Sequence, residues 1–577
     1  MENLENQKRE NLLNLALTAT EEERRRSENL EVGYDPLEKS WELIVRHNGS
    51  LEGLSSLGVT VDELLKGYAV LTVPESRMDQ VSSMEQIEYI EKPKRLFFAS
   101  NMARAASCLG TVQGNTGVIS GLPSGLTGRG VLVAVIDSGI DYFHQDFRNP
   151  DGTTRILMLW DHVSGRAYSQ EEINEALAEP GRSRALRLVP SSDVSGHGTA
   201  VAAIAAGNGR EGRGVYRGVA YESGILAVKL GTPLADSFPR TTQLMKAMDV
   251  VVRRARDMGM PVAVNLSFGN TYGSHDGASL LETYMDDISN FGRSVIVAGT
   301  GNEGAGAGHT AGTLVMGQEE SAQLSIAPYE TGMGVQLWKS YVDQFAIRLI
   351  TPSGDSIGPI DSRLGPQSLR YGGTRILIYY GKPSPYSSAQ EIFFDFIPAR
   401  DYLDSGIWAF RLTPERIVTG RYDMWLPSRG ILNPSTRFLR PAPETTLTIP
   451  STAAGVISVG AYDDSYQAYA DFSGRGFTRQ TNQVKPDLAA PGVDIVTARS
   501  GGGYEAVTGT SFAAPFVTGS AALLMQWGIV EGNDPFLYGE KVKAYLMRGA
   551  RHLPGYEVWP NERLGYGALC VRDSLPF

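Results

Sequence analysis

The sequence lacks most features that point to metal, nucleic-acid or disulfide chemistry. Its 577 residues include only two cysteines, Cys108 and Cys570, too few and too far apart in sequence to indicate a disulfide framework or a metal cluster. Acidic residues outnumber basic ones by 64 to 53, and no Lys/Arg-rich run offsets the net charge of −11, so we expect no nucleic-acid partner. No H-E-x-x-H motif occurs, which argues against a metalloprotease.

Long apolar runs are also missing. No run approaches the 18 or more apolar residues that a membrane-spanning helix needs, so we expect no membrane span. Residues 1–26 are charged and lack the apolar core and small-residue cleavage site of a secretory signal. This pattern predicts a cytoplasmic or spore-associated protein. Because 42% of the residues are apolar, a chain of this length can bury a large core.

From Val131 onward, short apolar β-branched runs alternate with longer helical patterns. This alternation is typical of βαβ units around a parallel sheet with helices on both faces. Strands covered on both faces read as nearly continuous apolar runs, which occur at 131–137, 225–231, 261–269, 294–302 and 455–463. Apolar residues at three- and four-residue spacing predict helices at 241–259 and 278–292. The fold class is therefore α/β.

Two regions depart from this alternation of strands and helices. Residues 304–450 contain alternating strand-like pieces separated by Gly, Pro, Asp and Ser turns, which predicts an inserted antiparallel β-sandwich. Residues 1–99 form a separate small α/β unit, with predicted strands at 42–49 and 68–74 and a helix at 76–84.

Two polar residues each lie at the predicted start of an alanine-rich helix. Ser511, in VTGTSFAAP, follows a tight turn, and the helix N-terminus behind it would present N–H groups and positive dipole to a developing oxyanion. The alternative is that Ser511 only caps its helix. His197, in SGHGTAVAAIAAG, lies between two glycines that leave its ring accessible, although it could be an ordinary turn residue.

Two further candidates end predicted strands. Asp137 ends VLVAVID, and catalytic groups collect at the carboxyl ends of parallel strands, although an Asp there can simply cap the next segment. Asn302, in VAGTGNEG, could direct its amide toward an oxyanion or be a turn residue.

Amide hydrolysis by serine needs a nucleophile, a base, an orienting carboxylate and oxyanion donors. An α/β-hydrolase is disfavoured because its G-x-S-x-G elbow would need glycine where Ala513 stands.

Five motifs resemble those of the subtilase family: AVIDSGIDYFHQDF, GHGTAVAAIAAG, AVNLSFG, VIVAGTGNEG and GTSFAAPFVTG. The resemblance implies a subtilisin-like serine endopeptidase with Ser511 as nucleophile, His197 as general base and then acid, and Asp137 as the orienting carboxylate. The Asn302 amide and the Ser511 N–H would form the oxyanion hole. The peptide cleft would have two walls. Ser267, Phe268 and Gly269 would line the first wall, and Gly299, Thr300 and Gly301 the second. An extended substrate would pair with the backbones of these walls as an added strand.

The overall layout looks most like the clostridial Csp-type spore germination proteases. This likeness implies a prosegment at 1–99, a catalytic domain formed by 100–303 and 451–577, and an inserted jelly-roll-like domain at 304–450. In that group the protease activates the precursor of a cortex-hydrolysing enzyme by limited cleavage. Two other functions stay open: a pseudoprotease that keeps the fold to bind a regulator or partner, and a general intracellular subtilase.

The resemblance also bears on processing and on metals. Residues 78–100 look like the C-terminal half of an inhibitory propeptide, whose end would lie in the active-site cleft; a permanently attached accessory domain is the alternative. Self-cleavage would fall within Phe98, Ala99, Ser100 and Asn101.

Asp146 matches a calcium ligand of the family, but its partner loop, GNGREGRGVYRG, is too rich in arginine for a cation site, so no metal or other cofactor is assigned.

Overall fold

The computed structural model describes residues 8–9, 13, 16–17, 21, 33–64, 68–91, 106–109, 113, 125–231, 241–289, 291–362, 365–383 and 387–575. The chain forms two compact units, Met1–Phe98 and Ala99–Phe577. Each unit has a hydrophobic core of its own.

Among its described residues, the first unit contains a small antiparallel sheet and a short α-helix at Met78–Ser82. Its strands have the order β1-β2-β4-β3, and β5 also pairs with β2. Trp41, Leu43 and Leu71 are fully buried at its centre. The two strands and the helix predicted here are confirmed. The elements are β1 (Tyr34–Asp35), β2 (Ser40–His47), β3 (Thr60–Leu64), β4 (Tyr68–Pro74), α1 (Met78–Ser82) and β5 (Ile87–Glu91).

The second unit is built around a nine-stranded sheet of order β24-β23-β11-β10-β6-β9-β7-β8, with β25 beside β23. All pairs are parallel except β7 with β8 and β23 with β24. The predicted parallel sheet is confirmed. Its strands are β6 (Leu132–Asp137), β7 (Ile156–Asp161), β8 (Arg166–Ser169), β9 (Gly224–Lys229), β10 (Val262–Leu266), β11 (Ser294–Gly299) and, after an insert containing β12 to β22, β23 (Ile457–Asp463), β24 (Ala468–Tyr469) and β25 (Leu488–Pro491).

Helices cover both faces of this sheet, as the sequence predicted. Side chains alternate between the two faces along a strand. Val133 and Val135 of β6 accordingly pack on one face with the helices at His197–Ala206 and Thr510–Met525. Leu132 and Ala134 pack on the other face with the helices at Thr241–Asp257 and Leu280–Ser289. The helices are α2 (Gln170–Ala178), α3 (Arg182–Leu188), α4 (His197–Ala206), α5 (Thr241–Asp257), α6 (Leu280–Ser289), α7 (Thr510–Met525), α8 (Glu540–Arg548) and α9 (Val571–Ser574).

The insert is a β-sandwich, as predicted. Two antiparallel sheets, β12-β21-β14-β19-β18-β17 and β16-β15-β20-β13-β22, enclose a core that includes Val335, Phe394 and Trp408. The jelly-roll description and the domain boundaries stay predictions. The strands are β12 (His309–Thr313), β13 (Glu320–Ile326), β14 (Met333–Ser340), β15 (Gln344–Ile350), β16 (Ser356–Ile357), β17 (Gly365–Tyr371), β18 (Thr374–Tyr380), β19 (Ala389–Pro398), β20 (Gly406–Arg416), β21 (Arg421–Trp425) and β22 (Arg437–Phe438).

A hairpin of β26 (Ile495–Ala498) and β27 (Tyr504–Val507) leads into α7, which a π-helical turn extends. In the described part of the chain, Thr510–Val530 is the one helix long and apolar enough to cross a membrane, with 21 residues and a mean hydropathy of 1.3. Because 83% of its apolar window is buried within the protein, its environment is that of a core helix.

Cys108 and Cys570 form a disulfide, with their Cα atoms 4.9 Å apart. Two cysteines separated by 462 residues do not indicate a disulfide framework, and this single bridge is a pairing that the sequence-based prediction missed. The two chain segments meet in space, since the Val571 N–H donates to the Ser107 carbonyl oxygen at 3.1 Å.

Candidate active site

Asp137 is the last residue of β6, which lies between β9 and β10 in the centre of the sheet. The chain continues from β6 to the β9 side and only later returns to the β10 side, so this carboxyl end is a topological switch point, where α/β sheets place their ligands. The Asp137 side chain is fully buried and accepts a hydrogen bond from the Ser138 N–H at 2.7 Å.

His197 opens α4 directly after Gly196, whose φ of 79° lies in the left-handed region that glycine tolerates. The next residue, Gly198, packs against the segment following β6: a Cβ atom there would lie 2.2 Å from the Gly139 carbonyl oxygen. A glycine at 198 therefore allows the first turn of α4 to approach the end of β6 closely.

This approach brings His197 and Asp137 together. His197 Nδ1 lies 2.7 Å from Asp137 Oδ1, and the imidazole keeps 28% of its surface exposed. Burial of the ring disfavours its charged form and is the largest single influence on it. The charge of Asp137, its hydrogen bond and the charge of Asp193 outweigh that effect, so the pKa of His197 is raised above its usual value.

Asp193 is a residue of this site that the sequence-based prediction missed. Its buried carboxylate accepts hydrogen bonds from the Ser138 hydroxyl at 2.9 Å, the Gly196 N–H at 3.0 Å and the Thr199 N–H at 2.8 Å. It thereby connects the end of β6 to the start of α4. The available signal was an Asp just before an alanine-rich helix, which is an N-terminal capping pattern.

Ser511 is the second residue of α7, so its N–H has no acceptor within the helix. Its Oγ donates to the Ser267 carbonyl oxygen at 3.4 Å, and no hydrogen bond joins it to His197 among the described residues. The start of α7 nevertheless lies beside the imidazole, since the rings of His197 and Phe512, the residue after Ser511, have centroids 5.3 Å apart.

Asn302 lies beside the same turn and is exposed. Its Oδ1 accepts hydrogen bonds from the Thr510 N–H at 3.1 Å and the Thr510 hydroxyl at 3.2 Å. These bonds leave the Nδ2 amide group as the donor available to a ligand. Thr510 is thus a second residue that the prediction missed, hidden within the GTSFAAP motif.

The first predicted wall meets the start of α7 directly. The Ser267 hydroxyl donates to the Ser511 carbonyl oxygen at 3.1 Å and itself receives a hydrogen bond from Asn265 Nδ2 at 2.9 Å. Phe268 and Gly269 continue from Ser267 and line a cavity of about 270 Å³. Ser267, Phe268 and Gly269 therefore form a chain segment that runs from the candidate nucleophile into an apolar cavity.

The second predicted wall also meets this turn. The Gly301 N–H donates to the Thr510 hydroxyl at 3.1 Å, and a Cβ atom on Gly299 would lie 3.0 Å from the Thr510 carbonyl oxygen. The Thr300 backbone is already bonded through its N–H to Val459 and through its carbonyl to Thr448. The backbone of this wall is thus largely bonded within the protein, and the substrate-binding role of both walls stays a prediction.

Two other predictions concern regions outside this geometry. The proposed processing residues Phe98, Ala99, Ser100 and Asn101 lie outside the described residues. Asp146 is buried, and its carboxylate accepts hydrogen bonds from the Glu211 N–H at 3.0 Å and the Tyr504 hydroxyl. Burial, the largest influence, raises its pKa. Within the described ranges, no group of three or more His, Cys, Asp or Glu side chains is placed to hold a metal ion, and the Asp146 carboxylate is bonded within the protein.

Comparison with known proteins is consistent with this geometry. Residues 128–331 and 440–567 match the model of the Subtilase family, and residues 7–94 match the model of the Csp protease B prodomain. The solved structure of the CspB protease from Clostridium perfringens is similar, with 37% sequence identity and a TM-score of 0.76. The similarity covers 82% of this chain and 96% of that one.

Curated relatives are more distant. The minor extracellular protease Vpr of Bacillus subtilis is 24% identical over 477 residues, which cover 78% of this chain and 52% of that protein. Serine protease AprX of the same organism is 33% identical over 154 residues, 23% of this chain and 32% of that protein. The chain thus spans about half or less of the length of these relatives. Since the family model matches more than half of the sequence, the chain belongs to the subtilase family of serine proteases.

Proposed function

We propose that this chain is a serine endopeptidase that hydrolyses peptide bonds with Asp137, His197 and Ser511. The observation that carries the proposal is the 2.7 Å contact between His197 Nδ1 and Asp137 Oδ1, made at the switch point of the sheet. A carboxylate at Nδ1 holds that proton in place, which leaves Nε2 unprotonated and able to act as a base. The start of α7 with Ser511 lies beside the same imidazole.

In the proposed reaction, rotation about one side-chain bond turns the Ser511 hydroxyl from the Ser267 carbonyl toward His197. Oγ then attacks the substrate carbonyl carbon while its proton passes to His197 Nε2. The resulting imidazolium is stabilised by Asp137. It gives the proton to the leaving amine as the C–N bond breaks, and a water molecule, activated in the same way, hydrolyses the acyl-enzyme.

The oxyanion would be stabilised by two donors at the start of α7. Asn302 is held by Thr510 through its oxygen, so its Nδ2 group is oriented as a donor. The Ser511 N–H has no helical acceptor and adds the positive end of the α7 dipole. Donors that are fixed before reaction need no reorganisation when the negative charge develops.

Narrow specificity is the second part of the proposal. The cavity that continues from Phe268 and Gly269 is also lined by Ser428, Gly430 and Ile431, which lie between strands β21 and β22 of the insert. A substrate side chain entering it would contact both the α/β domain and the insert. This shared lining favours limited cleavage of few proteins over general digestion.

The similarity to CspB supports a proposal for the physiological role. The match of residues 7–94 to a Csp prodomain supports synthesis as a zymogen whose prosegment occupies the cleft and is removed by self-cleavage near 98–101. We propose a spore-associated or cytoplasmic enzyme that activates the precursor of a spore-cortex hydrolase. A general intracellular subtilase would instead digest denatured proteins broadly.

Active-site labelling tests the proposal. We expect a fluorophosphonate probe to label the folded chain, with mass spectrometry locating the adduct on Ser511 and heat denaturation abolishing it. Ser511→Ala should show no label, whereas Ser520→Ala, a buried serine further along α7, should still be labelled. A folded wild-type chain, freed of its prosegment, that takes up no label would favour the pseudoprotease.

Intact mass of purified protein tests self-processing. Wild type is expected to lose about its first hundred residues, and Ser511→Ala to keep them. Identical processing of both proteins would assign the cleavage to another protease.

A further inference from the structure

A second cavity, outside the candidate active site, has an unusual concentration of arginine. It has a volume of about 770 Å³, within the roughly 300–1,000 Å³ typical of small-molecule sites. The cavity lies between the segment around β7 and the 208–217 loop that follows α4. Its charged lining residues are Arg129, Arg155, Arg210, Arg213, Arg217 and Glu222.

The positive charge of this lining is only partly neutralised. Glu222 pairs with Arg129 at 2.9 Å. Arg155 donates instead to the carbonyl oxygens of Ala206 at 2.7 Å and Ser223 at 2.6 Å, and Arg210 to that of Asn149 at 2.5 Å. Carbonyl oxygens fix the orientation of a guanidinium but do not cancel its charge.

Acidic groups outside the lining offset part of this charge, because Asp146 acts electrostatically on Arg155 and Asp151 on Arg210. Asp151 has a lowered pKa mainly because of hydrogen bonds from Thr153, and the charge of Arg210 adds a smaller effect. Across the described residues, Arg155, Arg210 and Arg213 form no ion pair with a carboxylate. The lining itself contains five arginines and one glutamate, in a protein whose net charge is −11.

The site is built rather than a loose surface cluster. Arg155 is only 7% exposed and joins the cavity floor to the last residue of α4, the helix that begins with His197. The Arg217 guanidinium lies over the Tyr221 ring, 4.4 Å from its centroid. The loop is closed by the Gly214 N–H donating to the Gly209 carbonyl at 2.7 Å. These contacts hold Arg155 and Arg217 in place before any ligand arrives, while Arg129, Arg210 and Arg213 are exposed around them.

We propose that this arginine cavity binds a small multivalent anion carrying phosphate or carboxylate groups. Planar guanidinium forks bind the oxygens of such groups in pairs. Arg155, whose guanidinium already donates to carbonyl oxygens, adds a fixed positive charge beside them. The cavity is concave and of small-molecule size, so it differs from the broad basic face that nucleic acids require. The ligand would join β7, the 208–217 loop and the end of α4, and would stabilise the folded catalytic unit.

Calorimetric titration of the full-length Ser511→Ala chain tests this site without any activity readout. The probes are tripolyphosphate and citrate, each at constant ionic strength set with NaCl. Saturable binding of either probe, with a rise in the unfolding temperature, supports the proposal, and the tighter probe identifies the preferred group. No saturable binding of either probe up to about 10 mM, which corresponds to the weakest specific affinities, would overturn it.

Matched charge variants locate the binding. Arg213→Gln and Arg210→Gln should each weaken it about tenfold, the size of a lost charge-assisted hydrogen bond. Arg253→Gln removes the same charge from the exposed face of α5 and should leave the affinity within about twofold, since a screened distant charge contributes little. Equal affinities for Arg213→Gln and Arg253→Gln would show that the anion does not bind in this cavity.

Discussion

The protonation state of His197 controls the proposed chemistry, because only a neutral imidazole can accept the Ser511 proton. Its carboxylate neighbours raise its pKa above 6.5, so the charged form persists to higher pH than for an ordinary histidine. We therefore expect kcat/KM to fall as the pH is lowered through that raised pKa. The acidic limb of the pH profile should have its midpoint above 6.5.

The Asp193→Asn variant tests whether the pKa of His197 sets the acidic limb of the pH profile. Removing the Asp193 charge lowers the pKa of His197, so the midpoint should move to lower pH even if the overall rate also falls. Asp249→Asn, on exposed α5, serves as the matched control and should leave the midpoint unchanged. An unmoved midpoint in Asp193→Asn would mean that this carboxylate acts only by holding the loop.

Asn302 should contribute to the rate and little to substrate binding. Its amide faces charge that exists only in the transition state, so we expect Asn302→Ala to lower kcat about 10²- to 10³-fold, a range that comes from subtilisin itself, with KM nearly unchanged. Steady-state kinetics on a peptide substrate separates the two constants. An increase in KM at constant kcat would instead make Asn302 a substrate-binding residue.

At the level of elements, the site depends on close packing between α4 and α7. A Cβ atom on Gly519 of α7 would lie 2.4 Å from Val219 Cβ and 2.8 Å from the Ala205 carbonyl oxygen. Gly to Ala inside a helix normally stabilises it by about 1 kcal/mol. Here the clash reverses the sign, and we expect Gly519→Ala to lower the free energy of unfolding by about 1–3 kcal/mol.

Urea unfolding measures this effect. Gly430→Ala is a suitable control, because a Cβ atom there meets nothing within 4 Å and should change stability little. Gly519→Ala as stable as wild type would mean that the two helices are not held this closely.

Sequence patterns predicted these elements well where local chemistry decides the structure. The apolar strand ending at Asp137 and the alanine-rich helices starting at His197 and Ser511 were expected from the sequence. Burial on both faces requires a run of apolar residues, and close helix packing requires small residues, so both features can be read from composition. Residues whose role depends on distant partners were missed. Asp193 and Thr510 act through hydrogen bonds across the fold, and no local pattern encodes their partners.

At the scale of the whole molecule, Cys108 and Cys570 connect segments that are distant in sequence. The prediction failed here because separation along a chain does not determine separation in space. Oxidised protein should contain no free thiol and two per chain after denaturation with a reductant. We expect Cys570→Ser to lower the free energy of unfolding by about 2–4 kcal/mol, because the bridge restricts the unfolded chain.

Unfolding in the Ser511→Ala background, with and without reductant, measures this contribution. Reductant should destabilise the parent protein by a similar amount and leave the Cys108→Ser/Cys570→Ser variant unaffected. Two free thiols in the oxidised parent would contradict the bridge.

The central claim is that Asp137, His197 and Ser511 act as one unit, and the most direct test is the non-additivity of their removal. Peptide hydrolysis is measured for Ser511→Ala, His197→Ala and the double variant, all processed to the same length. We predict that each single change lowers kcat about 10⁶-fold, a magnitude taken from subtilisin, and that the double variant loses almost nothing more. Independent, multiplicative losses, or a His197→Ala variant that retains most of its activity, would contradict the account.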